Sequence, residues 1–195
     1  ASIQTTGNRL SLQSEKISTT AIWFGGFNPF ATYTIDLDSC KGEGEIGFEF
    51  SDQQMKNQCT ITAVFDDHIM VDARIKIVKD SITLVEKSIA FKAGEKNSLQ
   101  GKIILQMLGS GMVLYLQHND LPKPVAQCEI SEYLDLRKMD FIHSFQSRLF
   151  LTLEKGRVDI EKVDASLSSG TGLADIRAIT YENGDPLLDK GRLWY

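Results

Sequence analysis

Between residues 8 and 164 apolar and polar side chains alternate with a period of two, in short runs rich in Val, Ile, Phe, Tyr and Thr. Successive side chains of a strand point to opposite faces, so such a pattern gives each segment one face to bury and one to wet, and it does not map onto a helix. Clusters of Gly, Asp, Asn and Ser divide it into fourteen runs: 9–13, 20–24, 31–37, 45–50, 59–66, 68–78, 81–85, 88–91, 99–108, 112–118, 125–130, 139–144, 147–153 and 157–165. Three connections, Asp66-Asp67, Gly109-Ser110-Gly111 and Lys155-Gly156, carry residues that tolerate positive φ or bond their own backbone, and they read as tight hairpin turns. Helical spacing is nearly absent. One turn of helix is expected over 131–138, with Ser131 at the N-cap.

An all-β antiparallel chain with this many short strands exceeds an immunoglobulin-like count and is expected to form a two-sheet jelly-roll β-sandwich. At 195 residues there is room for one such domain and a fragment of another. The net charge is −5, and Lys and Arg are scattered singly, which argues against nucleic acid or anionic lipid as partner and favours neutral or weakly charged ligands. No apolar run approaches the ~20 residues of a membrane-spanning helix. Cys40, Cys59 and Cys128 have neither CxxC spacing nor paired histidines, so they read as buried thiols, with one disulfide and a leftover thiol as the alternative. Asp36, Asp38, Glu43, Glu45, Asp52, Asp66, Asp67 and Asp72 lie near loops, where calcium would find oxygen ligands, but they match no calcium loop and read as solvated carboxylates. No cofactor and no metal are expected, and His68, His118 and His143 complete no catalytic triad.

The texture changes after Ala165. Ser166-Leu167-Ser168-Ser169-Gly170-Thr171-Gly172 is small, polar and linker-like, so the sandwich is placed at 1–165, a linker at 166–172 and the start of a second β domain at 173–195. That last piece reads as a strand over 176–181, a turn through Glu182-Asn183-Gly184-Asp185-Pro186 and half of another strand ending at Leu193-Trp194-Tyr195. A lone hairpin is marginal in water, so a second domain or chain continuing after Tyr195 is expected to cover it.

Two segments resemble known families. The stretch from Phe141 to Val163, with its Gly156-Arg157-Val158-Asp159-Ile160-Glu161-Lys162-Val163 ending, together with Leu99-Gln100-Gly101-Lys102-Ile103-Ile104-Leu105, resembles the closing strands of a concanavalin A-like lectin/glucanase jelly roll. The piece from Gly172 to Tyr195 resembles the first blade of bacterial five-bladed β-propeller glycoside hydrolases, though Asp175 is followed by Ile176 where the family's commonest form is Asp-Pro. The likeness implies a secreted or periplasmic glycoside hydrolase acting on polysaccharide or oligosaccharide. Its N-terminal sandwich would support a propeller site where Asp175 supplies a carboxylate beside Arg177.

Glycoside hydrolysis needs two carboxyl groups across the scissile bond, so the second would come from beyond Tyr195 and this piece alone would be inactive. Asp175 equally reads as a structural carboxylate of the linker, and Asp185 as a turn-former. The stretch Ile22-Trp23-Phe24-Gly25-Gly26-Phe27-Asn28-Pro29-Phe30 places four aromatics around a Gly-Gly pair. Trp23 and Phe27 could stack on sugar rings, or these rings could plug the end of the sandwich. The alternative to the hydrolase is a non-catalytic carbohydrate-binding or surface interaction module.

Overall fold

A computed structural model describes residues 1–7, 9–90, 97–136, 138–167, 181–183, 185, 188–189 and 192–193. Its strands are β1 (Ser2–Thr6), β2 (Arg9–Ser14), β3 (Ser18–Gly26), β4 (Ala31–Asp52), β5 (Gln58–Asp66), β6 (Ile69–Lys79), β7 (Ile82–Ala90), β8 (Gly101–Met107), β9 (Gly111–Gln117) and β10 (Lys123–Glu129). A six-residue helix, α1 (Met139–Ser144), precedes β11 (Phe145–Leu167), and two short strands follow, β12 (Leu188–Asp189) and β13 (Arg192–Leu193).

The long strands β4 and β11 pair antiparallel along their whole length, from Ala31 opposite Leu167 to Phe145 opposite Asp52. Halfway along, the ladder folds. The outer halves (31–41 and 156–167) lie in one layer with β1 and β2 on one side and β8, β9 and β10 on the other. The other halves (43–52 and 145–153) lie in a second layer with β3 on one side and β5, β6 and β7 on the other. The result is the jelly-roll β-sandwich that the alternation predicts.

The fold in the ladder is at Gly42, opposite Gly156. Gly42 has φ +86, and a Cβ there would run into the Lys155 carbonyl; one at Gly156 would run into the Lys41 carbonyl. Only glycine lets the two backbones come this close at that angle. Asp67 in the β5–β6 turn holds the bend, its N–H donating to the Gly42 carbonyl at 2.7 Å and its Oδ1 accepting from the Gly42 N–H at 2.8 Å.

Alternate residues of both layers fill the space between them. Tyr33, Ile35, Ile103, Leu105 and Leu114 of the first layer meet Ile46, Phe48, Phe50, Ile61, Phe65 and Ile75 of the second, all essentially fully buried. The Tyr33 ring lies 6.0 Å from Phe48 and 4.9 Å from Phe50, two halves of one strand packed against each other. The Tyr33 hydroxyl accepts from the Asn28 N–H at 2.8 Å, and burial raises its pKa above the ordinary phenol value. Cys40, Cys59 and Cys128 are free and buried; desolvation, with the nearby Asp67 charge second, pushes the Cys40 thiol up to about 12.

Several expected boundaries move. The runs 31–37 and 45–50 are one strand, as are 147–153 and 157–165, so Lys155-Gly156 is a bend inside β11 and not a hairpin turn. Residues 139–144, expected as a strand, form α1: the N–H groups of Phe141 and Ile142 both donate to the Lys138 carbonyl at 3.0 Å. That turn sets the rings of Phe141 and Phe145, four residues apart, 4.8 Å from each other. In place of the helical turn expected over 131–138, Tyr133 and Leu134 N–H donate to the Ile130 carbonyl, Leu136 N–H to that of Leu134 and Lys138 N–H to that of Asp135, a series of separate turns. Near the C-terminus Asn183 bonds the N–H and carboxylate of Asp185, which acts as a turn-former, and Leu188 pairs with Leu193 across a two-stranded ladder. All of 168–180, and with it most of the linker and of the strand expected at 176–181, lies outside the described residues, while Ser166 and Leu167 of the expected linker belong to β11.

On the outer side of the first layer Arg157 binds Asp159 through two nitrogens at 2.8 Å, and Ser39 on β4 donates to the same carboxylate at 2.8 Å. The Arg157 contacts, helped by Ser11 and Ser39 hydroxyls, pull the Asp159 carboxyl down to about 2. A depressed carboxylate adds stability above its ordinary range and loses it as the pH falls toward the folded value. Asp159→Asn therefore flattens the acid-side loss of stability between about pH 4 and pH 2, which denaturant titration at a series of pH values checks. At the bend, Gly42→Ala meets both a left-handed backbone and the Lys155 carbonyl, and lowers stability by about 2 kcal/mol or more. Gly7→Ala, left-handed but facing open space, costs only about 1 kcal/mol; equal midpoints for the two variants would contradict this account.

Candidate functional site

The outer face of the second layer is where side chains of different chemistry converge. Antiparallel register sets them in rows that cross the strands: Trp23 on β3, Arg148 on β11, Glu49 on β4, Thr60 on β5, Lys76 on β6 and Glu86 on β7 form one row. Ala21, Phe150, Gly47, Thr62, Arg74 and Ser88 form the next. Every second residue of a strand faces this way, so the rows follow directly from the pattern read in the sequence.

Between β4 and β7 the face sinks into a groove of about 380 Å³ lined by Glu45, Thr60, Thr62, Arg74, Lys76, Glu86, Ser88 and Phe150, among others. Phe150 reaches the groove from β11 because Gly47, the residue between it and Thr62, has no side chain to stop it. Gly47 also has a packing reason: a Cβ there would meet the Ile61 carbonyl of β5.

Charges on this face are matched. The Thr62 hydroxyl donates to Glu45 Oε2 at 2.9 Å, and Arg74 stands 3.6 Å from the same carboxylate. Glu49 is buried, with Arg148 at 3.3 Å from Oε1 and the Gln58 amide donating to Oε2 at 2.7 Å. Arg148 is held in turn by Ser51, the Met55 sulfur and, at 2.9 Å, the Gln146 side-chain Oε1. A carboxylate in so dry a place depends on these donors, so the pair lies flat in the sheet surface and cannot swing out.

Two polar atoms stand out by lacking partners. Thr60, only 8% exposed, has a hydroxyl with no hydrogen bond among the described residues, and so has Oδ1 of Asp72, whose other oxygen accepts from Ser88. Buried polar groups are nearly always paired, so these two are exceptions, and each atom is itself out of contact with solvent.

The residues predicted from sequence divide. Trp23 is 62% exposed, on the same face as the groove. Phe27 is buried, its ring 5.0 Å from Phe50 and 5.7 Å from Phe145, so it plugs the end of the sandwich and offers no face to a sugar. Asp175 and Arg177 lie outside the described residues. The loop carboxylates do not gather: Asp52 caps the 52–57 turn, Asp67 holds the bend, Asp36 faces Lys102 at 3.9 Å, and Glu45 lines the groove. Among the described residues no three His, Cys, Asp or Glu side chains are placed to hold a metal ion, and no helix is long and apolar enough to cross a membrane. Sequence reading missed Thr60, Thr62, Arg74, Lys76, Ser88 and Phe150. The signal was present as polar residues two apart on three consecutive strands, but it acquires meaning only once the register sets those strands side by side.

No family model matches the sequence, and no curated protein sequence is similar to it. Solved structures share the fold. The CBM2 module of the evolved Dit of Lactobacillus casei BL23 phage J-1 superposes with a TM-score of 0.53 at 8% identity, over 85% of this chain and 78% of that one. A glycoside hydrolase family protein from Mycobacterium thermorestibile gives 0.53 at 9% identity, over 82% and 77%. Xylan β-1,4-xylosidase from Bacillus halodurans C-125 gives 0.52 at 10% identity, matching 81% of this chain but 32% of that longer one. At such identities the likeness is one of fold.

The unpartnered Thr60 hydroxyl yields a test that separates binding from stability. Thr60→Val keeps the shape and removes a desolvated group, so the stability read from thermal unfolding holds or rises by up to about 1 kcal/mol. A loss of more than that would show that the hydroxyl is paired and that the groove floor is complete without a ligand.

Proposed function

We propose that this chain is a non-catalytic carbohydrate-binding β-sandwich whose ligand lies in the groove on the outer face of the second layer. The observation that carries the reading is the groove's composition: one aromatic wall, Phe150, facing hydroxyls, carboxylates and cations, with the Thr60 hydroxyl unpartnered. Sugars present apolar C–H faces and a rim of hydroxyls, each both donor and acceptor, and this mixture of a ring and close-set polar groups suits them. The fold is shared with a phage carbohydrate-binding module and a glycoside hydrolase family protein, which supports the same class of ligand.

Binding fits this face better than hydrolysis. Glu45 and Glu49 are four positions apart on one strand, about 13 Å between Cα atoms, and each is already engaged by a cation. Glycosidases set their two carboxyls within about 5 to 10 Å and keep one of them able to take up a proton. The hydrolase reading therefore rests on residues 173–195 as the start of a further β domain, with Asp175 and Arg177 at its site, and it is carried by sequence resemblance alone. A location outside the cytoplasm accompanies either reading, since polymeric glycans are met there.

The test is a glycan array probed with the purified chain, followed by titration of the strongest hits. Wild-type protein is expected to bind, Phe150→Ala to weaken binding by about tenfold, the scale of one lost stacking contact, and Phe150→Leu to recover part of that loss. Absence of binding across neutral and acidic glycans overturns the proposal. Release of reducing sugar by wild-type protein, abolished by Asp175→Asn, would favour the hydrolase instead.

A further inference from the structure

We infer that the groove is one end of a longer site: Trp23 on β3 is an outer subsite of the same cleft, and the ligand is an uncharged, extended glycan chain that crosses the strands from Glu86 to Trp23. The inference rests on the carbohydrate-binding reading above and adds to it the ligand's charge, length and direction.

Trp23 shares a row with Thr60, Lys76 and Glu86 of the groove. Neighbouring strands lie about 4.8 Å apart, close to the length of one pyranose in an extended chain, so the three steps from Thr60 to Trp23 span about 14 Å and the whole row about 24 Å, some five sugar units. No other ring stacks on the Trp23 indole among the described residues, and its side chain is turned to solvent although Ile22 and Phe24 on either side pack on the core. Beyond it Gly25 and Gly26 leave open space where other residues would carry side chains. An exposed indole with cleared surroundings at the sheet edge is what an outer stacking contact needs.

Between Trp23 and the groove the row stays low. It passes over Arg148 and Glu49, whose side chains are only 15% and 4% exposed and which hold each other down at 3.3 Å. Beside them lie Gly47, which has no side chain, and Ser51, fully buried. The buried ion pair thus forms a low floor, bordered on the Ser51 side by the exposed Met55, whose sulfur meets Arg148 and Ser51, and on the other side by Gly47, so a ligand crossing the strands passes on the Gly47 side of Met55.

Charge sets the class. Along the path Arg148 is matched by Glu49, Arg74 by Glu45, and Lys76 stands opposite Glu86 in register. A uronate or sulfated chain would bring its negative charges to cations that already have carboxylates beside them, whereas an uncharged chain uses the same groups as hydrogen-bond donors and acceptors.

The probes are neutral β-1,4-linked glucose, xylose and mannose oligomers of two to six units, with oligogalacturonate as the charged comparison, titrated by calorimetry. The expected result is affinity that rises with length up to about five units, set by the strand count. Trp23→Ala should cost the longest oligomer about tenfold and leave the dimer unchanged, with Trp23→Phe between. A second readout uses Trp194→Phe, which leaves Trp23 as the sole indole of the two tryptophans: its fluorescence should respond to hexamers and not to dimers. Binding that stops improving at two units, or a Trp23→Ala variant that binds hexamers like wild type, overturns the extended site while sparing the groove. Tighter binding of oligogalacturonate than of every neutral oligomer overturns the uncharged class. Failure of all these probes while the glycan array still shows binding overturns the extended neutral site alone; failure of both overturns the carbohydrate reading itself.

Discussion

The structure depends on one sharp bend shared by two strands. Where β4 meets β11 at Gly42 and Gly156, the backbones approach more closely than any Cβ would allow, and Asp67 binds both the N–H and the carbonyl of Gly42 to keep the angle. One continuous ladder thereby becomes two layers, and the inner faces of its two halves become each other's packing partners. The contact of Tyr33 with Phe50, seventeen residues along the same strand, exists only because of that bend. Opening it would separate the layers and leave both apolar faces without a partner.

The same ladder carries the candidate site. Arg148 and Phe150 belong to β11, Glu45 and Glu49 to β4, and the register between these strands decides that Arg148 meets Glu49 and that Phe150 lies over Gly47. A slip by one residue would turn Phe150 inward and Leu149 out to solvent. Two glycines five residues apart thus act differently: Gly42 allows the bend, and Gly47 allows a close strand pair and leaves room for an aromatic ring above it.

What could be read from the sequence follows from what is local. Alternation gave the strands, and Asp66-Asp67 and Gly109-Ser110-Gly111 marked turns that the structure contains, with Asp67 at φ +51 and Gly109 at φ +80. Lys155-Gly156 shows the limit of such reasoning: glycine at a turn and glycine at a bend look alike until the partner strand is known. Residues 139–144 show another, since six residues with two adjacent apolar side chains fit either period, and the contact of Phe141 with Phe145 decides for the helix. Phe27 and Trp23 come from one aromatic cluster, yet one is core and one is surface. Trp23 sits at an outward position of β3, whereas Phe27 follows the strand's end and falls back among Phe50 and Phe145. The groove was illegible for a related reason: its lining comes from five strands spread over more than a hundred residues, and no short motif joins them.

The placement of β11 in the middle of both layers has a consequence for how the chain comes off the ribosome. It pairs with β2, β3 and β4, and it is the last strand of the sandwich to be synthesised. Until residues 145–167 emerge, β2 and β3 have no neighbour on that side and the long β4 has one edge bare, so the nascent chain holds exposed strand edges for most of its synthesis. The domain cannot close from its N-terminus onward; it waits for its final strand and then closes at once, as a fold dominated by contacts distant in sequence must.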